Sequence, residues 1–580
     1  MDPNQRERPL QAAESPQPQA RHQWLKNYPK DVDWHARLEP VPLQRLLERT
    51  AAKYGDKTCT YFMGRTLTYA EIDALANQVA VGLQKRGVGK GVNVGLLLPN
   101  SPTSIIFYYG ILKAGGTVVN FNPLYTIEEL GYQARDARLH MMVTLDLAAI
   151  FPKVERLLAD GAIPSAVVCP FAQLLPTLKS QLFKLMRKKD VSDWRQSPQI
   201  DKIVAYDTLI ENDGKPDAVA IEPESDVAVI QYTGGTTGVP KGAMLTHANL
   251  SINTHQSVLW APSLVDGEER VMGILPFFHV FAMTTVMNFA VEKAAMIILM
   301  PRFELAQALD LIRKLKPTVM PGVPTLYNAL MTSKGLREGD LASLKFCISG
   351  GAPLPIEIKR GFEAASGSAL VEGYGLSETS PVATCNPVSG ASKEGSIGVP
   401  LPGTRISVRS LENPAKEVTL GENGEICIAG PQVMKGYWQR PKETADVMVG
   451  EFLRTGDVGF MDTEGYTFIV DRIKDMIISS GFNVYPRRIE EAIYEFQGVE
   501  EVTVVGIPDS YRGEAPKAFI KMRPGVTATK EEVLRFLQPK LSKIEMPAQV
   551  EFRDELPKTL IGKLSKKELR AEMKAHDTKA

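Results

Sequence analysis

Tyr232-Thr233-Gly234-Gly235-Thr236-Thr237-Gly238-Val239-Pro240-Lys241-Gly242 follows the apolar, strand-like run Val227-Ala228-Val229-Ile230. A strand therefore feeds a loop of four glycines, three threonines and one lysine. Glycine lets successive backbone N–H groups turn inward, as a loop that wraps a polyphosphate requires. The hydroxyls of Thr233, Thr236 and Thr237 add donors, and Lys241 adds a point charge for phosphate oxygens. The alternative for so short a run is a plain surface turn.

The run is not a Walker A loop. That pattern needs Gly-Lys-Ser/Thr opening a helix, whereas Pro240 precedes Lys241 here and Gly242 follows it. Outward from the loop the chain alternates strand and helix patterns. Leu43 to Tyr54 is periodic like a helix. Thr68-Tyr69-Ala70-Glu71 is a capping-box pattern ahead of a helix over Ile72 to Arg86. Val92 to Leu98 predicts a strand, Ser101 to Lys113 a helix closed by Gly115-Gly116, and Thr117 to Asn120 the next strand. Further strand-like runs lie at Lys202 to Ala205, Val227 to Gln231, Met296 to Met300 and Thr318 to Pro321. This punctuation predicts an α/β body of several sheets with crossover helices. Gly424 to Gly430 and Gly465 to Val470 predict β-structure. After Asp471-Arg472-Ile473-Lys474-Asp475 a smaller α+β unit is expected. The reading divides the chain into a disordered tail (1–24), a large domain (25–471) and a mobile C-terminal domain (472–580).

With 580 residues the chain is long enough for two or more cores. Lys+Arg and Asp+Glu both total 67, which gives nucleic acid no support as a partner. The five cysteines are scattered with no Cys-x-x-Cys pair, which argues against a zinc site or a disulfide framework and suits a reducing cytosol. No secretory signal and no transmembrane run are visible. Phe171 to Lys189 sets Leu174, Leu175, Leu178, Leu182, Leu185 and Met186 at helical spacing among Lys and Arg, with Pro176 in the first turn. Such a helix either docks its apolar face on the body or lies on a lipid surface.

Distant motifs add chemistry. Gly373-Tyr374-Gly375-Leu376-Ser377-Glu378-Thr379 combines an aromatic face that can stack on a base with a carboxylate that can hold Mg²⁺. Ser349-Gly350-Gly351-Ala352-Pro353 is nearly bare of side chains, as a surface against a flat ring should be. Arg454-Thr455-Gly456-Asp457 puts an acid in a tight turn, where it can accept from two ribose hydroxyls or close an Asx-turn. Arg472 and Lys474 stand at the domain boundary, and Lys563 stands in a lysine-rich tail after Gly562.

Taken in order, these motifs resemble those of the adenylate-forming superfamily of acyl-CoA synthetases, luciferases and peptide-synthetase adenylation domains, from about residue 25 to 573. The likeness is nearest to bacterial long-chain fatty acid–CoA ligases, through Gln231 to His247, Asn122 to Thr126, Gly430 to Met434 and Ser480 to Pro486. Small departures are Ser377 where threonine is usual, Phe452 where tryptophan is common and Arg454 ahead of Thr-Gly-Asp.

The resemblance implies roles. Thr233, Gly234, Gly235, Thr236, Thr237, Gly238 and Lys241 would hold ATP phosphates. Glu378 and Thr236 would hold Mg²⁺, with Thr379 near the α-phosphate. Tyr374 would stack on adenine, with Gly351 and Ala352 against the base, while Asp457 and Arg472 would fix the ribose. Lys563 would be the catalytic lysine, Lys474 the hinge, and Ser480, Gly481 and Phe482 part of the coenzyme A tunnel. His279, in Pro276-Phe277-Phe278-His279-Val280-Phe281, would lie near acyl group and thiol. The implied reaction converts a long-chain fatty acid, ATP and CoA to acyl-CoA, AMP and pyrophosphate. Alternatives are a medium-chain or dicarboxylic acid ligase, or a nucleotide-binding scaffold without catalysis. A cytoplasmic protein is expected, with peripheral contact at the inner membrane face through Phe171–Lys189. The context of Lys563 resembles sites used by lysine acetyltransferases. A homodimer stays open.

Overall fold

The computed structural model describes residues 22–233, 239–480, 482–509, 511–558 and 564–577. Two large sheets form the body. The first has eight strands in the order Gly436–Tyr437, Lys241–Thr246, Val227–Thr233, Thr117–Asn120, Asn93–Leu97, Met141–Leu145, Ala166–Cys169 and Ile203–Ala205. From Val227–Thr233 to Ile203–Ala205 the strands run parallel, and Lys241–Thr246 and Gly436–Tyr437 extend one edge antiparallel. The second has nine strands, with Val319–Gly322, Phe346–Ser349 and Leu370–Gly375 parallel neighbours near its middle.

The helix Pro102–Lys113 explains how the two sheets share a core. Every one of its residues is buried, so it has no solvent face and is the filling of a layer rather than its cover. Its Ile105, Phe107 and Tyr109 join Val94, Val118 and Val229 of the first sheet and Val271, Ile297 and Val319 of the second in one apolar cluster. The buried Tyr69 hydroxyl there is satisfied: its Oη donates to the carbonyls of Ala290 and Ala295 at 2.9 and 2.7 Å.

A third sheet joins Arg405–Arg409, Gly424–Ala429, Phe452–Met461 and Met448–Val449, with Thr467–Arg472 on the long central strand. Beyond the turn at 473–476 a fourth sheet carries Ile477–Ser479, Phe482–Val484, Val499–Asp509, Gly513–Met522 and Gln549–Phe552. Its own apolar cluster includes Ile489, Val502, Ile520 and Leu537. The mixed α/β expectation holds, with a large sheet body and a smaller C-terminal unit.

Several local expectations are met closely. Thr68 and Glu71 form the capping box of the helix Tyr69–Gln84, with the Glu71 carboxylate accepting from Thr68 N at 2.7 Å. The tail 1–24 lies outside the described residues up to 21, but Gln23–Asn27 is a 3₁₀ turn whose Trp24 packs into the body. Phe171–Lys189 is not one helix. It divides into a 3₁₀ turn Phe171–Leu174, a helix Thr177–Met186 and a 3₁₀ turn Lys188–Asp190. Pro176 forces the break, because the residue before a proline is driven to extended backbone, as Leu175 shows at φ −92°, ψ 155°. Phe171 and Leu175 are buried, whereas Leu178, Leu182, Leu185 and Met186 are exposed. Among the described residues no helix is long and apolar enough to cross a membrane. All five cysteines are buried and unpaired.

Candidate functional site

Parallel strands present their carboxyl ends on one edge of a sheet, and ligands bind there. In the nine-stranded sheet that edge carries the loops after Phe346–Ser349 and Leu370–Gly375. They open into a cleft of about 2800 Å³. Gly350, Gly351, Ala352, Tyr374 and Glu378 line one side, Thr233 and Lys241 a second, and Asp457 and Arg472 a third. The C-terminal unit closes the cleft with Arg487 and residues 564–567. The structure thus brings together Thr233, Lys241, His279, Gly351, Ala352, Tyr374, Glu378, Asp457, Arg472 and Lys474 of the expected site.

Strands Val227–Thr233 and Lys241–Thr246 pair so that Thr233 faces Lys241, and these two hold the neck of the glycine loop. Gly234, Gly235, Thr236, Thr237 and Gly238 lie outside the described residues, as do Gly481 and Lys563. The residues that follow Lys563, Leu564 to Lys567, border the cleft.

Tyr374 ends its strand with the phenol donating to Asp457 Oδ2 at 2.6 Å. Arg472 Nε meets Asp457 Oδ1 at 3.0 Å, so both carboxylate oxygens are engaged. The expected tight turn is absent: Asp457 lies within strand Phe452–Met461 opposite Arg472, and Gly456, at a φ of 74°, stands where the pairing with Gly424–Ala429 shifts register. Burial, with Asp457 beside it, pushes the Tyr374 phenol well above its usual range and keeps it a donor. This triad ties strand Leu370–Gly375 to the third sheet through three polar groups that border the cleft.

A second group faces it. Tyr437 Oη donates to Glu378 Oε1 at 2.8 Å, and Lys241 Nζ lies 5.2 Å from the centre of the Tyr437 ring. Burial raises the Glu378 carboxyl above its usual range, and the Tyr437 hydrogen bond, with Arg472 and Lys241, draws it back. The turn beneath is fixed: a Cβ on Gly375 would stand 1.7 Å from the Pro381 carbonyl oxygen. Thr379 serves that turn, its hydroxyl accepting from Leu376 N at 2.9 Å and donating to the Pro381 carbonyl. A Mg²⁺ ion suits Glu378. Among the described residues no group of three or more His, Cys, Asp or Glu side chains could hold a metal ion. Mg²⁺ needs only one or two carboxylates when ligand phosphates complete its shell.

His279 lines the cleft and caps the short helix Val280–Ala282, its Nδ1 accepting from Phe281 N at 3.2 Å. Phe281 presses its ring to within 3.0 Å of where a Cβ on Gly350 would be. Pro324, Thr325 and Asn328 also line the cleft. Ser480 and the exposed Phe482 stand on the hairpin Ile477–Val484, away from the cleft in this arrangement.

Tyr437, Glu372 and Arg487 were not singled out from the sequence. Tyr437 reaches the site by strand pairing, opposite Ala243 on the edge of the eight-stranded sheet. Nothing in its neighbours Lys435-Gly436 and Trp438 marks that pairing.

Comparison with known proteins agrees with this geometry. The family described as AMP-binding enzyme matches residues 47–438, and the AMP-binding enzyme C-terminal domain matches residues 488–563. A long-chain-fatty-acid–CoA ligase of Bacillus subtilis (strain 168) is 44% identical over 552 residues, covering 95% of this chain and 98% of the relative. One from Escherichia coli O157:H7 is 36% identical over 567 residues, covering 96% and 99%. Among solved structures, ATP-bound MatB from Rhodopseudomonas palustris superposes with a TM-score of 0.80 at 31% identity, covering 92% of this chain and 99% of that one. Apo MatB superposes at 0.72.

Proposed function

This chain belongs to the AMP-binding enzyme family, and from that premise we propose that it activates a long-chain fatty acid to its acyl-CoA through an acyl-adenylate. The observation that carries the reading is the pair of groups facing one another in a single cleft: Tyr374–Asp457–Arg472 and Glu378–Tyr437–Lys241. The activity shared by the curated relatives supports it.

A carboxylate is a poor electrophile. Its oxygen attacks the α-phosphorus of ATP, the bond to the bridging oxygen breaks, and pyrophosphate leaves with that electron pair. The barrier is dominated by two anions approaching each other, so fixed positive charge is what the protein must supply. Lys241 and the glycine loop bind the β- and γ-phosphates. Mg²⁺ held at Glu378 supplies further charge neutralisation when bound. Tyr374 offers its ring to adenine, Gly351 and Ala352 leave room for the base, and Asp457 with Arg472 orients the ribose. Lys563 would supply a cation to the first step. The acyl chain runs past His279 and Phe281 toward Asn328. Coenzyme A then attacks the activated carbonyl through its thiolate sulfur, and AMP departs.

The second half-reaction needs space where Lys563 stood. A rotation of the C-terminal domain (472–580) about Lys474 would withdraw it and bring the Ser480–Phe482 hairpin to the pantetheine arm. The exposed Phe482 supports this, since an apolar side chain on a hairpin tip gains from a surface to cover it. Acetylation of Lys563 would abolish its charge and silence the first step. The helix Thr177–Met186, with four exposed apolar residues, would rest on the inner face of an anionic membrane.

Pyrophosphate release with ATP, Mg²⁺ and CoA, measured over monoacids from short to long and a few diacids, tests the reading. A long-monoacid optimum supports it. A medium-chain or diacid optimum keeps the mechanism and replaces the substrate. Absence of turnover with every acid returns the chain to a nucleotide-binding scaffold.

A further inference from the structure

Asp136 ends helix Ile127–Asp136, where a carboxylate faces the negative pole of the helix and gains nothing from it. Its two oxygens are held from the sheet instead. Tyr232 Oη donates to Oδ2 at 2.6 Å and Arg440 Nη2 donates to Oδ1 at 2.6 Å. Trp438 Nε1 donates to the backbone carbonyl of Asp136 at 3.1 Å, so the helix end is satisfied as well. Tyr232 is buried, and the Asp136 side chain is 13% exposed. These donors stand on either side of one strand. Tyr232 belongs to Val227–Thr233, Trp438 and Arg440 follow directly after Gly436–Tyr437, and Lys241–Thr246 runs between the two. Asp136 does not border the cleft, whereas Tyr232 and Tyr437 do.

We propose that Asp136 is a positioning residue for the end of the cleft that takes the β- and γ-phosphates of ATP, acting through Tyr232 on the strand that enters the glycine loop and through Arg440 and Trp438 on Tyr437. The inference rests on the function proposed above, which assigns Lys241, Glu378 and the glycine loop to that end.

Gly436–Tyr437 is an edge strand of two residues, and so short a ladder fixes its place weakly. The bond from Trp438 N to the Gly242 carbonyl, 2.7 Å, extends it by one step. Asp136 then adds hydrogen bonds to an ionised acceptor, which are shorter and stronger than neutral ones. What these bonds hold is chemically specific. Tyr437 is the group that donates to Glu378 and sets its ring beside Lys241. On the other strand Tyr232 immediately precedes Thr233, and its ring packs on Gly242, where an added Cβ would stand 3.2 Å from it. In Asp136→Asn one carboxylate oxygen becomes an NH₂ group that must face a donor, so one of the two contacts is lost. Tyr374, Asp457 and Arg472, which are offered to the adenosine half, are joined by bonds of their own. AMP lacks the β- and γ-phosphates and should not sense the change.

The test uses the full chain and needs no turnover. Binding of ATP and of AMP, each with Mg²⁺, is titrated calorimetrically in the parent, Asp136→Asn, Arg440→Met, their double variant, Arg440→Lys and Lys241→Met. We expect Asp136→Asn and Arg440→Met each to weaken ATP about tenfold and to leave AMP within about twofold of the parent. The double variant should fall no further than either single one, because both break the same contact. Arg440→Lys keeps a cation for Oδ1 and should bind both nucleotides like the parent. Equal weakening of ATP and AMP in Asp136→Asn would mark a general structural support and overturn the positioning role, as would additive losses in the double variant. Parent affinity for ATP in Asp136→Asn and Arg440→Met, with a selective loss in Lys241→Met, would overturn the role of Asp136 and leave the phosphate assignment standing. An unchanged ATP-to-AMP ratio in every variant, Lys241→Met included, would remove that assignment and the inference with it. Where Asp136→Asn does not fold, Arg440→Met against Arg440→Lys decides by the same ratio.

Discussion

The phenol of Tyr374 and the carboxylate of Asp457 meet at 2.6 Å across the seam between the nine-stranded sheet and the third sheet. The proton Tyr374 donates fixes the carboxylate that Arg472 also grips, which couples the proposed base and ribose contacts. Tyr374→Phe keeps the ring and removes the donor. A lost hydrogen bond to a charged group costs about 1.5–3 kcal/mol, so the dissociation constant for ATP should rise roughly ten- to a hundredfold. Calorimetric titration with ATP checks this, and an unchanged constant would show that Asp457 is held by Arg472 alone.

Tyr437→Phe should act through Glu378. The Tyr437 hydrogen bond stabilises the carboxylate against the upward push of burial, so its removal raises the Glu378 pKa further. Glu378 must be ionised to hold a cation. The acid limb of the pH–rate profile for pyrophosphate exchange should therefore move to higher pH. A limb that stays in place would uncouple Tyr437 from Glu378.

Lys563→Gln removes one cation from the first half-reaction. By analogy with the loss of a single preorganised electrostatic group, exchange should fall roughly 10²–10³-fold. Transfer from supplied acyl-adenylate to CoA should stay near the parent rate. Equal losses in both half-reactions would reassign the lysine.

Burial of Glu372 makes stability depend on pH. Its carboxyl is raised from 4.5 to about 7, so the folded chain binds this proton more firmly than the unfolded chain. The resulting stabilisation is complete below the ordinary value and drains away as pH rises through about 7. Glu372→Gln lacks that loss. Denaturant midpoints at pH 5 and pH 8 should show the variant gaining on the parent at the higher pH, and parallel midpoints would contradict the raised value.

Leu178→Glu with Leu185→Glu tests the helix Thr177–Met186. Both leucines are exposed, at 79% and 73%, so thermal stability should change by less than about 0.5 kcal/mol. Flotation with anionic vesicles should drop sharply. Equal flotation of parent and variant would remove the membrane role.

The local grammar of the chain was readable where one segment carries its own signal. The capping box at Thr68 and Glu71, the strand entering the glycine loop and the helix Pro102–Lys113 all depend on residues within a turn or two. Pro176 shows the cost of reading periodicity without backbone sterics, since apolar spacing continued through a position that a helix cannot cross. Relationships made by sheet order were not legible. Tyr437 reaches Glu378 only because a two-residue strand returns to the edge of the first sheet, and Thr58–Phe62 pairs with Met296–Leu299 across most of the large domain. Glu372 and Arg487 come to one cleft from two domains, which no local pattern encodes. The individual motifs therefore pointed to the chemistry, while the groups that tune and hold them emerged from the assembled fold.

The buried cysteines bear on the safety of the reaction. An acyl-adenylate is an electrophile that any accessible thiolate would intercept, leaving the protein acylated on itself. None of the five cysteines borders the cleft, and burial pushes the thiols of Cys59, Cys347 and Cys427 up to about 12. Sulfur nucleophilicity belongs to the thiolate, which these residues do not furnish at neutral pH. The chain thus keeps its own sulfur silent and leaves the activated carbonyl to the thiol that arrives from solution.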